Sequence, residues 1–282
     1  MPELPEVETV RQRLEQVLIG NTISQIQVLR DKSFQGQTQK VIGASIQAVS
    51  RKAKLLRLQL DNDLNLLIHL KMTGQLIFVS DDVKTGGGHP TADWVRNLPS
   101  KHTRVIIEFS DDSKLYFNDM RVFGWMRVLD DEQVLAEFNK YGPDVIDENF
   151  TAKYLQKKLA NRTIAIKEAM MTNQIVGGIG NIYANEALFE AGIDPRRSAK
   201  SLSLDELRRL VTASKQVIRA GLEAGGTTFD GRYVDVDGLA GSYQNQLKVY
   251  DKEGEPCPNC QGKIKKIKIG QRGTYFCPQC QN

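Results

Sequence analysis

Two groups of residues in this 282-residue chain have the types and spacing to do chemistry. The first is Cys257, Cys260, Cys277 and Cys280, the only cysteines present, set as two Cys-x2-Cys pairs with sixteen residues between them. Each pair can turn two thiolates toward one ion, and two pairs complete a tetrahedral zinc site with no position left for water. Such a site is structural, stabilising a module too small to build its own core. A disulfide framework is the competing reading and belongs to oxidising compartments. The second group lies at the opposite end, in MPELPEVETV. A small second residue favours removal of Met1, and Pro2 would then present a secondary amine beside the carboxylate of Glu3. The alternative reading is a helix start, with Pro5 at its first position and Glu3, Glu6 and Glu8 near its positive end.

Charge is uneven. The chain carries a formal +4, and Lys248–Asn282 alone accounts for +4, with seven basic residues against three acidic ones. Between the cysteine pairs, IKKIKIGQRGTYF alternates basic and apolar residues as a β-hairpin with a basic face does. A basic stripe on one module is the footprint of a phosphate-binding surface. A merely solvated charged face is the alternative. The lysines and Arg272 also offset the charge of about −2 that four thiolates leave on a divalent ion.

These residues need elements to position them. Residues 5–19 place Val7, Val10, Leu14, Val17 and Leu18 at helical spacing, with Gly20 as the stop. Short apolar and β-branched runs follow (TISQIQVL, KLLRLQL, DLNLLIHL, QLIFV, TRVIIEF, KLYFND, GWMRVL), separated by clusters such as DND and SDDS. Closely spaced strands with turn signals predict a β-sandwich or barrel. KTGGGHP, 84–90, reads as an exposed loop. From about residue 131, LAEFNKYGPDVI, FTAKYLQKKLA, AIKEAMMTNQIV, NIYANEALFEAGI and SLDELRRLVTASKQVIRAGLEAG read as helices with short connections. The expected fold class is therefore α+β and multidomain: a β-sandwich or barrel with flanking helices over 1–131, a helical domain over 132–244 and a four-cysteine zinc module over 245–282. A hydrophobic content of 40% and a charged content of 26% are those of a soluble globular protein. No run of about 18 apolar residues predicts a membrane span. With no basic region leading into an apolar one, a signal peptide is not expected and the predicted location is cytoplasmic.

With MPELPEVETV at one end and GQRGTYFCPQCQ at the other, the sequence resembles the bacterial formamidopyrimidine-DNA glycosylases (MutM type). Between the ends, the resemblance is carried by HLKMTG at 69–74, NDMRVFG at 118–124 and IVGGIGNIYANEALFEAGIDP at 175–195. It spans essentially the whole chain in order. The resemblance implies an N-terminal β-sandwich, a helix-two-turns-helix domain and a zinc-finger hairpin. It implies a bifunctional glycosylase and apurinic/apyrimidinic lyase, acting as a monomer on duplex DNA that contains oxidised bases or abasic sites, with one structural zinc ion and no organic cofactor. Pro2 is then the nucleophile and Glu3 its acid/base partner, with Glu6 as possible support. By the same resemblance Lys54 holds a phosphate beside the lesion, Asn181 and Arg272 grip the DNA backbone, and Lys167 and His102 contact its phosphates. Met72, Arg121 and Phe123 fill the void left by the extruded nucleotide, Arg121 facing the orphaned cytosine. The segment 225–247 includes a loop over the extruded base, where Thr227 and Thr228 offer hydrogen bonds. In SKHTRV, 100–105, Arg104 stands where the family often has a second histidine, so only His102 carries over. Two other functions remain open: an endonuclease VIII-like enzyme for oxidised pyrimidines, whose usual opening has glycine where this chain has Leu4, and a module that senses damage without cutting.

Overall fold

The structure is a computed structural model that describes residues 2–88, 97–227 and 241–282. The chain forms two compact units, Met1–Asn139 with Ala224–Gln244, and Lys140–Glu223 with Asn245–Asn282.

The first unit opens with helix α1 (Leu4–Leu18) and continues into two five-stranded sheets. Across one sheet the order is β1 (Ile23–Val28), β8 (Thr103–Phe109), β9 (Lys114–Asp119), β6 (Gly74–Val79) and β7 (Lys84–Gly88). Across the other it is β2 (Phe34–Gln35), β10 (Trp125–Asp130), β5 (Leu64–His69), β4 (Leu55–Leu60) and β3 (Ile46–Lys52). The β2–β10 pair is parallel and the other pairs are antiparallel. Alternation along the strands decides which face is core: in β4, Leu56, Leu58 and Leu60 are buried while Arg57 and Gln59 are half-exposed. Ile23, Leu76, Val105 and Phe117 from one sheet join Val49, Leu58, Leu66 and Met126 from the other in a single core. Into that core α1 lays Val7, Val10, Leu14 and Leu18. Each fully buried leucine there contributes about 2 kcal/mol.

The stretch 84–88 is not an exposed loop but β7, an edge strand whose three glycines are buried. Glycine is a poor strand former, so its strand character is invisible to local pattern. A Cβ on Gly86 would lie 2.1 Å from Leu76 O, and one on Gly88 would lie 2.5 Å from Gly74 O. Both have positive φ, which glycine alone adopts readily. The bare strand lies close against the β6 backbone, and it also meets α1, where Arg13 Nη1 donates to Gly86 O at 3.0 Å. His89 and Pro90 lie outside the described residues. Helix α2 (Asp131–Phe138) also differs from the expected 135–146. Asp130 and Gln133 form a reciprocal capping box at its start, and the helix ends ahead of Gly142-Pro143, a pair that cannot continue it.

The second unit contains α3 (Ala152–Leu159), α4 (Ile166–Met170), α5 (Asn181–Glu190), α6 (Leu204–Glu223) and the hairpin β11 (Lys265–Ile269) and β12 (Arg272–Phe276). The helix read over 165–176 stops at Met170, and turns lead from there to α5. The cysteine module packs onto α5: Phe189 joins Val249, Ile264, Tyr275, Cys257 and Cys277 in one small core. Two polar residues of α5 fasten it. Asn185 Oδ1 accepts from Tyr275 N at 2.7 Å, and the buried Glu186 carboxylate accepts from Lys248 N, Val249 N and Tyr250 N at 2.8, 3.0 and 2.8 Å. Burial pushes the Glu186 pKa up against the pull of these amides. Among the described residues, no helix is long and apolar enough to cross a membrane.

Glu186→Ala leaves three buried amides without their acceptor, at about 1–3 kcal/mol each. Denaturant unfolding is expected to show a loss of about 3 kcal/mol or more, with faster zinc loss to a chelator. A loss below about 1 kcal/mol would show that the amides find other acceptors.

Candidate functional site

At the chain start, Pro2 and Glu3 are both buried, Glu3 being 2% exposed. Glu3 is the extended N-cap of α1, which begins at Leu4, one residue earlier than the pattern predicts. Glu6 is the hub. Its Oε2 accepts from Glu3 N at 2.8 Å, and its Oε1 accepts from Thr227 N at 2.8 Å. One carboxylate thus completes the helix start and ties it to the backbone at Thr227. The helix-start and chemical readings of the opening residues are compatible, because the same cap geometry orders Pro2 and Glu3. Thr228 lies outside the described residues.

Strand register gathers a second group at one end of the sandwich. Lys54 sits in the β3–β4 turn, where Ala53 takes φ +52°, and it is 5% exposed. The next residue, Leu55, pairs with His69, and His69 pairs with Trp125. Met72 lies in the β5–β6 turn, Arg121 and Phe123 in the β9–β10 turn. Because β6 pairs with β9 and β5 with β10, those two turns are neighbours. Phe123 is 53% exposed, and the Arg121 guanidinium lies 4.8 Å from its ring centroid. Met72 is half-buried. His102 joins the same end through its carbonyl, which accepts from Asp119 N at 2.9 Å. Arg51 links α1 to this end: its Nε donates to Glu8 Oε2 and its Nη1 to Ala53 O, each at 2.8 Å.

His69 was not singled out in the sequence, where it is one residue of HLKMTG. Burial, with help from Lys71, Lys54 and Arg127, lowers its pKa to about 3. It is neutral at pH 7, accepts from Lys71 N at 3.0 Å and meets Trp125 at 5.9 Å between ring centroids. Glu186 was missed as well. Its one sequence signal is a carboxylate set inside the mostly apolar run IYANEALF.

In the second unit, Asn181 is the first residue of α5, directly after Gly180, where helix amides point outward. Its Oδ1 has no hydrogen-bond partner among the described residues. Arg272 is exposed and opens β12 after a two-residue turn, Gly270-Gln271, with φ of +52° and +60°. Positive φ at both positions matches the right-handed twist of a hairpin. Lys167 lies behind the hairpin. It is 0% exposed, and its Nζ donates to Gly273 O at 2.7 Å and Thr274 Oγ1 at 2.8 Å. This buried side chain braces the strand behind Arg272.

The four cysteine sulfurs lie within 4.8 Å of one another, with Cys257–Cys280 at 3.8 Å and Cys260–Cys277 at 3.5 Å. A disulfide needs about 2.05 Å. Tetrahedral zinc with Zn–S near 2.3 Å sets sulfurs about 3.8 Å apart, so the group fits one structural zinc ion.

The low pKa of His69 makes a pH prediction. An unfolded histidine takes a proton near pH 6.5, whereas the folded one resists to about 3. Its contribution to stability is complete above pH 6.5 and is lost as pH falls toward 3. His69→Asn is expected to be less stable at pH 7 but to show a flatter fall in melting temperature across that window. Parallel curves for the two proteins would remove His69 from the acid response.

Residues 1–126 match the formamidopyrimidine-DNA glycosylase N-terminal domain, residues 141–232 the formamidopyrimidine-DNA glycosylase H2TH domain, and residues 254–282 the zinc finger found in FPG and IleRS. Among curated relatives, the formamidopyrimidine-DNA glycosylase of Desulforamulus reducens is 39% identical, covering 100% of this chain and 99% of the relative. That of Desulfitobacterium hafniense is 36% identical over the full length of both. A solved complex between Lactococcus lactis Fpg and DNA containing an abasic site is similar at a TM-score of 0.87 and 32% identity, covering 99% of each chain. A second, of the Lactococcus lactis enzyme with Fapy-dG-containing DNA, matches at 0.85 and 32% identity, covering 99% of this chain and 100% of the other. Matches to three domain families in order and relatives above 30% identity over the whole length place this chain in the formamidopyrimidine-DNA glycosylase family.

Proposed function

We propose that the protein is a bifunctional DNA glycosylase and apurinic/apyrimidinic lyase that removes oxidised purines, 8-oxoguanine and formamidopyrimidines, from duplex DNA in base excision repair. The observation that carries the reading is the buried Pro2-Glu3 pair at the N-terminus of α1, ordered by Glu6. Its setting is the bacterial cytoplasm, on the nucleoid.

While Met1 is attached, the Pro2 nitrogen is an amide and does not attack, so the active species is the processed chain. A free α-amine has a pKa of about 7.7–8.0. The positive end of α1 favours its neutral form, and the carboxylates of Glu3 and Glu6 oppose that. The neutral amine forms a bond to C1′ of the damaged nucleotide and gives up its N–H proton, and the glycosidic bond breaks with its electron pair leaving on the base, which takes up that proton. Glu3 delivers a proton to the sugar ring oxygen as the ring opens. The nitrogen of the resulting iminium carries no proton to lose, so the adduct stays cationic and draws electrons from C2′. Loss of the C2′ proton then expels the 3′ phosphate, a second elimination expels the 5′ phosphate, and water hydrolyses the imine to free Pro2. Lys54 and Arg272 hold phosphates in this scheme and Asn181 grips the backbone. Met72, Arg121 and Phe123 occupy the gap in the stack, since a base inside a duplex must be extruded before chemistry.

Borohydride trapping of the Met1-free protein on duplex DNA with 8-oxoguanine opposite cytosine is expected to leave a covalent adduct that maps to Pro2. Binding without an adduct, on an abasic site as well, would make the protein a damage-sensing module. Glu3→Gln is expected to keep lesion binding and lose excision by about 10²-fold or more. A strong preference for thymine glycol over 8-oxoguanine would overturn the purine assignment. Chelating the zinc is expected to abolish duplex binding while the circular-dichroism signal of the β-rich unit persists. Full binding without metal would take the hairpin out of the interface.

A further inference from the structure

Asp119 ends β9 between two probing turns, and it is fully buried. Its Oδ1 accepts from Thr73 Oγ1 and from Arg121 N at 3.1 Å. Its Oδ2 accepts from Phe123 N at 2.8 Å and Gly124 N at 2.7 Å. Thr73, next to Met72, also accepts from Arg121 N at 3.0 Å through the same hydroxyl. The Asp119 backbone is held too, since its carbonyl accepts from Arg104 Nε at 2.7 Å and its amide donates to His102 O at 2.9 Å. Arg104, which replaces the second histidine of the family pattern, thus anchors this residue to β8.

The turns themselves are under tension. Lys71 has φ +53° and Val122 has φ +55°, a left-handed region that a β-branched side chain strongly disfavours. Such a turn persists only where its surroundings over-determine it. Here the amides on both sides of Val122 converge on one carboxylate, and the conformation they impose leaves Phe123 and Arg121 exposed beside each other. The Thr73 hydroxyl carries the same constraint across to the turn bearing Met72.

We infer that Asp119, acting with Thr73, is a positioning residue that joins the Met72 turn to the Arg121–Phe123 turn, so that the three side chains enter the duplex as one preset wedge. This rests on the assignment of Met72, Arg121 and Phe123 as void-filling residues. Neither Asp119 nor Thr73 touches DNA in this account. A preset wedge lowers the ordering cost of extruding a damaged nucleotide and has no part in the chemistry at C1′.

The test compares Asp119→Asn, Thr73→Val and Thr73→Ser with Phe123→Ala in single-turnover excision of 8-oxoguanine from duplex DNA. Cleavage of a preformed abasic site in single-stranded DNA, which has no stack to fill, serves as the control. Asp119→Asn keeps the shape but turns one acceptor into a donor facing amides. It is expected to slow duplex excision by about tenfold or more and to leave single-strand cleavage within about twofold. Thr73→Val is expected to follow Asp119→Asn, and Thr73→Ser to restore the wild-type rate, which keeps the test decisive if Asp119→Asn does not fold. Combined with Phe123→Ala, Asp119→Asn should add little further loss, because both remove the same wedge. Equal losses on both substrates, or losses that multiply, would overturn the inference and leave a merely structural carboxylate. Unchanged excision in Asp119→Asn and Thr73→Val, with Phe123→Ala impaired, would overturn it alone. An unimpaired Phe123→Ala would overturn the void-filling assignment on which it stands.

Discussion

A carboxylate taken out of water needs donors, and irregular backbone taken out of water needs acceptors. This protein repeatedly satisfies both demands with one group. Glu6 receives the amides of Glu3 and Thr227, Glu186 those of Lys248, Val249 and Tyr250, and Asp119 those of Arg121, Phe123 and Gly124. In each case the amides belong to a segment without regular secondary structure that carries or adjoins a side chain of the proposed site or of the cysteine module. The carboxylate substitutes for the sheet or helix partner those segments lack.

That device explains how the chain end proposed to react is held. Termini fray unless tied down. Here α1 is pinned by its apolar face in the sandwich core and by Arg13 on β7, while Glu6 fixes the residues ahead of it. The glycine strand matters for the same reason, because without side chains it pairs closely with β6 and offers Gly86 O to Arg13. The order of the opening residues is thus an outcome of packing more than of local propensity.

In the second unit the same logic serves binding. The zinc module is too small for a core of its own and borrows Phe189 from α5. Asn185 and Glu186 fasten its backbone, and Lys167 reaches from α4 to the strand behind Arg272. Zinc closes the cysteine end and Lys167 steadies the strand at the hairpin tip, so the exposed arginine projects from a stiff support. A charged group on a preorganised strand loses little freedom when it meets a phosphate.

Local pattern determined a good deal. The cysteine spacing implies zinc because two such pairs close a tetrahedron whatever the rest of the chain does, and α1 is legible in its 3.6-residue periodicity. The sandwich strands show through alternation, and the quoted motifs carry the family resemblance and hence the candidate site. What tertiary structure decided is whatever depends on partners far along the chain. Glu6 reads as an ordinary first-turn helix carboxylate until Thr227, 221 residues away, supplies its second donor. Lys167 is one lysine of an ordinary helical run until Gly273, 106 residues on, accepts from its ammonium. KTGGG reads as a loop until β6 pairs with it, and Asp119 reads as one member of a turn until Thr73 meets it across the sheet. Periodicity reports which face of an element is apolar. It carries no information about which distant amide will meet a given carboxylate, because that pairing exists only once strand register and helix packing are set.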